Sequence, residues 1–176
     1  MDEQNKSAIF RQWVEQYYSF GFRLARHILL NDEESRDIVQ DAFVKVWENM
    51  QQYRDGSRFT TWFYRIVVNL CYDRLRKEKN QQKYREEFML NETEMTQDAL
   101  SLQAGREAGE WVNRLVHNLG DKQRIVFILR DMEDMQMQEI SEVTGMTPEQ
   151  VKANLYHARK AMRSMLVKLN IWEERK

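Results

Sequence analysis

Proline occurs once in these 176 residues, glycine six times and cysteine once. Strand-rich folds turn often and need glycine and proline to do so, so their scarcity points to long helices. The lone Cys71 cannot form an internal disulfide. No apolar run approaches the roughly 20 residues that span a bilayer, and no apolar leader segment opens the chain, so no membrane insertion and a cytoplasmic location are expected. The three histidines, His27, His117 and His157, are scattered, with no carboxylate or cysteine at ligand spacing. Nor is there a P-loop or other glycine-rich phosphate cradle. A catalytic role, a metal and a cofactor are therefore not expected.

What is present is charge and apolar periodicity. Apolar residues make up 42% and charged residues 31%, as in a folded globular protein. The net charge of -1 would argue weakly against a polyanionic partner, but its distribution argues the other way. Between Tyr72 and Arg85 the cations Arg74, Arg76, Lys77, Lys79, Lys83 and Arg85 outnumber Asp73 and Glu78. From Val151 to Lys168 there are Lys152, Arg159, Lys160, Arg163 and Lys168, with no acid. Glu86, Glu87, Glu92, Glu94, Asp98, Glu107 and Glu110 lie between the two blocks. One such run is as well explained by a solvated helix face. Two of them, each at the end of an amphipathic helix, fit two contacts with a polyanion.

The periodicity predicts an all-α chain. Phe10, Trp13, Val14, Tyr17, Gly21, Leu24, Ala25 and Ile28 recur at three- and four-residue spacing across a first helix over 4–30. Asn31 breaks it, and Asp32 is placed to cap a second helix reaching Met50, with Ile38, Val39, Ala42, Phe43, Val46 and Trp47 on one stripe. After the turn signal Asp55-Gly56-Ser57, a third helix carries Phe59, Trp62, Phe63, Ile66, Val67 and Leu70. Residues 80–105 lose the pattern and read as an acidic linker with some helix. It returns with Trp111, Val112, Leu115, Val116 and Leu119; Gly120 ends that helix and Asp121 caps another holding Ile125, Val126, Ile128 and Leu129. Cys71, in mid-helix, is most simply a buried small residue.

The sharpest local signal lies between Met137 and Arg163. A short helix from Met137 to Thr144 ends at Gly145, which can take the left-handed conformation. Thr147 and Gln150 then stand at capping-box spacing, with Pro148 at the first helical position. Val151, Leu155, Ala158, Met162 and Leu166 form one stripe; Glu149, Lys152, Ala153, Tyr156, Lys160 and Arg163 form the opposite face. A helix held at its back with donors at its front is what entry into the major groove requires. An ordinary helical hairpin is the competing explanation of these residues alone.

The stretch LGDKQRIVFILRDMEDMQMQEISEVTGMTPEQVKANLYHARKAMRSML closely resembles the promoter-reading C-terminal domain of bacterial sigma factors of the extracytoplasmic-function group. ESRDIVQDAFVKVWENM resembles that family's polymerase-binding helix, and SRFTTWFYRIVVNLCYDRLRKEK its promoter-melting and -10-reading helix. The resemblance implies a region 2-like domain over 8–80, an acidic linker over 81–107 and a region 4-like helix-turn-helix domain over 108–170. It also implies core RNA polymerase and promoter DNA as partners, duplex at the -35 element and single-stranded at the -10 element, and an anti-sigma factor. Gln136, Asp134, Ala153 and Asn154 depart from the common pattern, where serine or threonine, glycine, serine and arginine are frequent. These departures leave the fold expectation intact and the -35 preference open.

On the second helix Asp37, Gln40, Asp41, Val44 and Glu48 lie opposite the core stripe. Val44 is the unexpected apolar member and suits a partner helix, which the resemblance identifies as a coiled coil of the largest polymerase subunit. For the -10 strand, single-stranded binding needs aromatic platforms and cations. Phe59, Trp62, Phe63 and Tyr64 offer the first, and Arg58, Arg65, Arg74, Arg76 and Lys77 the second. Phe59, Trp62 and Phe63 fit a core better, so Asn69, on the polar side with Arg65 and Arg76, is the stronger base-reading candidate. By resemblance the loop from Tyr53 to Phe59 holds an everted base. For the -35 duplex the candidates are Thr147, Glu149, Gln150, Lys152, Ala153, Asn154, Tyr156 and His157 near bases, and Arg159, Lys160 and Arg163 near phosphates. A stand-alone helix-turn-helix regulator and a polymerase-binding decoy remain the alternative readings.

Overall fold

The computed structural model describes residues 3–53, 58–89 and 108–168, and among them every regular element is helical. Helix α1 spans Glu3–Leu29, α2 Asp32–Asn49 and α3 Phe59–Met89; α4 spans Ala108–His117, α5 Asp121–Phe127, α6 Met137–Thr144 and α7 Pro148–Lys168. The end of α3 lies inside the stretch read as linker.

The break between α1 and α2 is sharp because Leu30 turns left-handed, at φ 54°. That turn delivers Asn31, not Asp32, to the cap: its side chain accepts from the backbone N–H groups of Glu33 and Glu34 at 3.0 and 3.1 Å. Asp32, Glu33 and Glu34 then form an acidic first turn at the positive end of α2, and Asp32 accepts from Arg26 Nε at 2.7 Å. Further along, Gly120 is the residue preceding α5 and Asp121 lies in its first turn, so the cap expected of Asp121 is absent.

Helices α1, α2 and α3 close one core around Leu24, Ile28, Val39, Val46, Phe63 and Val67, all fully buried. Each such side chain contributes roughly 1.5–3 kcal/mol. Gly21 is required where α1 crosses α3: a Cβ there would stand 2.8 Å from Phe63 Cε1 and Cζ. Helices α4 to α7 bury Val116, Ile125, Val126, Ile140, Val151 and Ala158. The chain between α5 and α6 begins with a π-helical turn, Ile128–Met132, that the sequence pattern did not mark. The two cores are continuous, because α6 packs on α3 and the π turn on α1.

Candidate nucleic-acid interface

The outer face of α7 is built by the turn that precedes it. Gly145 adopts φ 71°, and its N–H donates to Ser141 O at 2.9 Å, ending α6. Thr147 N–H donates to Gln150 Oε1 at 3.1 Å, and Gln150 N–H to Thr147 Oγ1 at 3.3 Å, completing the capping box. Val151, Leu155, Ala158 and Met162 are buried behind the helix. In front, Glu149, Lys152, Ala153, Tyr156, His157, Lys160 and Arg163 are exposed, and Tyr156 keeps 63% of its surface. Lys152, Leu155, Tyr156, Arg159, Lys160 and Arg163 line a shallow cleft along this face.

Not every predicted member of that face is free. Asn154 is half-buried, and its Nδ2 donates to Gln150 O at 2.8 Å, so one of its two amide N–H donors is used within the helix. Arg159 forms a two-pronged pair with Asp131, at 2.9 and 2.5 Å, that ties α7 to the π turn. Hydrogen bonds from its own N–H and from Thr147 lower the Glu149 carboxyl, which is anionic at neutral pH.

On α3, Arg65, Asn69, Arg76 and Lys77 are exposed. Arg76 pairs with Asp73 at 3.3 Å, and Arg74 with Glu34 at 2.5 Å. Arg58 reaches across to Glu139 of α6 at 3.1 Å. The aromatics are packed inward: Phe59 stacks near Trp13 with ring centroids 4.3 Å apart, and Trp62 lies half-buried against Tyr53. Tyr64 is buried, and its hydroxyl donates to Glu133 at 3.1 Å. In this arrangement Phe59 and Tyr64 are packing residues. Of the loop expected to hold a base, residues 54–57 lie outside the described residues. On α2 the outward row Asp37, Gln40, Asp41, Val44 and Glu48 is exposed, with Val44 at 55%.

Sequence reasoning missed a second set of polar residues, which joins the two halves. Glu133, with only 2% of its side chain exposed, accepts from Arg23 Nε at 3.0 Å and Nη2 at 2.6 Å, and from Tyr64. His27 Nδ1 lies 3.6 Å from Oε1. Burial alone would raise this carboxyl, but His27 and Arg23 overcome it and hold it at about 2. Buried Arg124 donates to the carbonyls of Ile28, His117 and Leu119, and His117 Nε2 lies 3.1 Å from Ile28 O. Burial and the neighbouring Arg124 lower His117 to about 4. Glu133 stands in a local run of acids, and Arg124 looks like one more helix cation, so neither announces a distant partner.

Among the described residues no group of His, Cys, Asp and Glu is placed to hold a metal ion, and no helix is long and apolar enough to cross a membrane.

Comparison with known proteins gives this geometry its context. The profile of Sigma-70 region 2 matches residues 13–81, and that of Sigma-70, region 4 matches residues 109–162. The chain is similar to the ECF RNA polymerase sigma factor SigW of Bacillus subtilis, with 27% identity over 89% of this chain and 88% of the relative. It is similar to the RNA polymerase sigma factor SigV of the same organism, with 28% identity over 94% of this chain and 96% of the relative. Its fold is similar to that of the sigma factor RpoE from Bartonella quintana, solved in complex with the anti-sigma factor NepR. There the TM-score is 0.71 at 20% identity, over 89% of this chain and 96% of the other.

Proposed function

The chain belongs to the sigma-70 family, in its extracytoplasmic-function group of RNA polymerase sigma factors, and we propose that it divides promoter recognition between the two faces just described. A sigma factor binds core RNA polymerase and directs promoter recognition, melting and initiation. In this reading residues 8–80 dock the polymerase and engage the -10 element, and residues 108–170 read the -35 element as duplex. The observation that carries it is the α7 face, where cations stand exposed on a helix capped and backed by its own unit.

Lys152, Ala153 and Tyr156, in the first turns, lie where base edges would be met, and Lys160 and Arg163 lie where phosphates would pass. Ala153 and Tyr156 can offer apolar contact to a thymine methyl, and Lys152 a donor to guanine. On α3, Asn69 reads an unpaired base, and Arg65, Arg76 and Lys77 follow the strand. The α2 row centred on Val44 is the polymerase-facing surface, because an apolar side chain ringed by polar ones suits a packed partner helix. The chain works in the cytoplasm beside the polymerase, without enzymatic chemistry of its own, and an anti-sigma factor is its further partner.

Core polymerase, the purified chain and a promoter library, followed by mapping of transcript starts, test the reading. New sequence-specific starts are expected. Duplex binding with no effect on polymerase would indicate a stand-alone regulator instead, and polymerase binding without new starts a decoy.

A further inference from the structure

Arg159 stands on the edge of the α7 face, and its guanidinium is held by another element. It follows Tyr156 by three residues and precedes Arg163 by four, so the three form one ridge with Lys152 at its start. All four line the shallow cleft on this face. Yet both prongs of Arg159 are engaged elsewhere: Nε donates to one carboxylate oxygen of Asp131 at 2.9 Å, and Nη2 to the other at 2.5 Å. A forked pair of this kind fixes direction as well as distance. The partner lies 28 positions earlier in the chain, on the π turn.

Asp131 is a firm anchor, because the turn that carries it is pinned from several sides. Ile128 and Leu129 are fully buried beneath it. Glu133 N–H donates to Ile128 O at 3.0 Å, and Met135 N–H to Leu129 O at 2.9 Å. Arg130 Nη1 donates to Met135 O at 2.8 Å, across the left-handed Asp134. The back of α7, by contrast, is the apolar stripe Val151, Leu155, Ala158 and Met162. Apolar burial is non-directional, so it holds the helix down more firmly than it fixes the roll. Roll matters here: at the ~6 Å radius of a helix with its side chains, a turn of about 10° moves a side-chain tip by about 1 Å. A binding constellation needs its members within about 0.5 Å of their places.

Resting on the -35 reading of α7, we propose that Asp131 and Arg159 are positioning residues for that readout. The pair sets the roll of α7, so that Lys152 and Tyr156 meet base edges, and it withholds Arg159 from the phosphates. Spacing along α7 groups Arg159 with Lys160 and Arg163 as a phosphate contact; the forked pair gives it a different task. With side chains 54% and 24% exposed, the pair adds little to stability, so its effect falls on which sequence is read. Its two members then differ in a characteristic way. Losing Arg159 removes the anchor and no phosphate contact. Losing Asp131 removes the anchor and also frees a cation beside the cleft, which strengthens binding to any duplex.

Arg159→Gln, Asp131→Asn and the double variant test it, each as the full chain with core polymerase. The readout is transcription from a promoter library with randomised -35 bases, at several salt concentrations. Both single variants should lose about fivefold or more of the preference for the cognate -35 sequence. The double variant should lose no more than either single one, because all three break the same pair. The salt slope should stay unchanged in Arg159→Gln and steepen by about one in Asp131→Asn. Circular dichroism and thermal unfolding should show all three folded, with midpoints near that of the wild type. Arg159→Gln weakening every sequence alike, with a slope shallower by about one, makes Arg159 a phosphate anchor and overturns the proposal. Asp131→Asn with its preference intact, additive losses in the double variant, or a variant that fails to fold also overturns it. In each of these cases a wild type that selects a -35 sequence upholds the promoter reading. A wild type with no -35 preference removes that reading, and the positioning role with it.

Discussion

Helices α3 and α7 both carry cations outward, but they are held in opposite ways. α7 is backed entirely by its own unit, and Lys152, Lys160 and Arg163 have no ion-pair partner among the described residues. α3 is enclosed on several sides, with α1 and α2 on one flank and α6 on another. Several of its cations are paired, Arg74 with Glu34, Arg76 with Asp73 and Lys79 with Asp121, as is Arg58 just before the helix with Glu139, while Arg65 and Lys77 stand exposed. Among the described residues the α7 face meets no helix outside its own unit, whereas α3 carries its exposed residues on a helix shared by both cores.

The largest effect should come from breaking the shared core. Phe63→Ala, at a fully buried position, should cost about 3–5 kcal/mol. Amide hydrogen exchange should show α6 losing protection together with α1 and α2. Unchanged protection of α6 would mean that the two units stand independently.

Acid should come next. The Glu133 carboxyl lies at about 2 folded against 4.5 unfolded, so its contribution, about 3 kcal/mol, is present above pH 4.5 and lost as pH falls through 4.5 towards 2. His117, at about 4 folded against 6.5 unfolded, acts in a higher window: the unfolded chain takes its proton first, so stability falls as pH drops from 6.5 towards 4. Thermal unfolding between pH 2 and 7 should show both limbs. Glu133→Gln should flatten only the lower one, and a lower limb that survives in this variant would show that the stabilisation is not Glu133's.

The α7 face should divide in two. Lys152→Ala should cost about 1–3 kcal/mol at the cognate -35 sequence and little at a mismatched one. Lys160→Ala and Arg163→Ala should weaken all sequences alike and reduce the salt slope by about one each. Transcription from a randomised -35 library at several salt concentrations separates these patterns, and uniform loss in Lys152→Ala would make that residue a phosphate anchor.

On α3, Arg65→Ala and Asn69→Ala should slow open-complex formation more than closed binding. A pre-melted promoter should restore more of the Arg65 loss than of the Asn69 loss, and equal restoration would leave Asn69 no base to read. The smallest effect belongs to Asp134, left-handed at φ 52° where the family often has glycine. Asp134→Gly should stabilise by up to about 1 kcal/mol in thermal unfolding.

Local signals in the sequence translated directly into structure. Gly145, Thr147, Pro148 and Gln150 specify their turn within six residues, and the Val151, Leu155, Ala158, Met162 stripe gives the buried side of α7. The exposed row on α2 follows from the same helical arithmetic. What escaped was non-local or degenerate. Asn31 and Asp32 are equivalent caps by local chemistry, and the left-handed Leu30 selects between them. The far end of α3 has no apolar stripe to announce it. The union of Arg23 with Glu133 spans 110 positions and leaves no periodic trace.

Cys71 lies in the middle of α3, fully buried, and burial pushes its thiol far above the usual range. In the folded chain it is sheltered from alkylating reagents. As the only sulfhydryl in the molecule, it is a built-in clock: each covalent modification records one excursion in which α3 parted from its neighbours. The rate at which label accumulates would count those excursions in native solution, without an engineered probe.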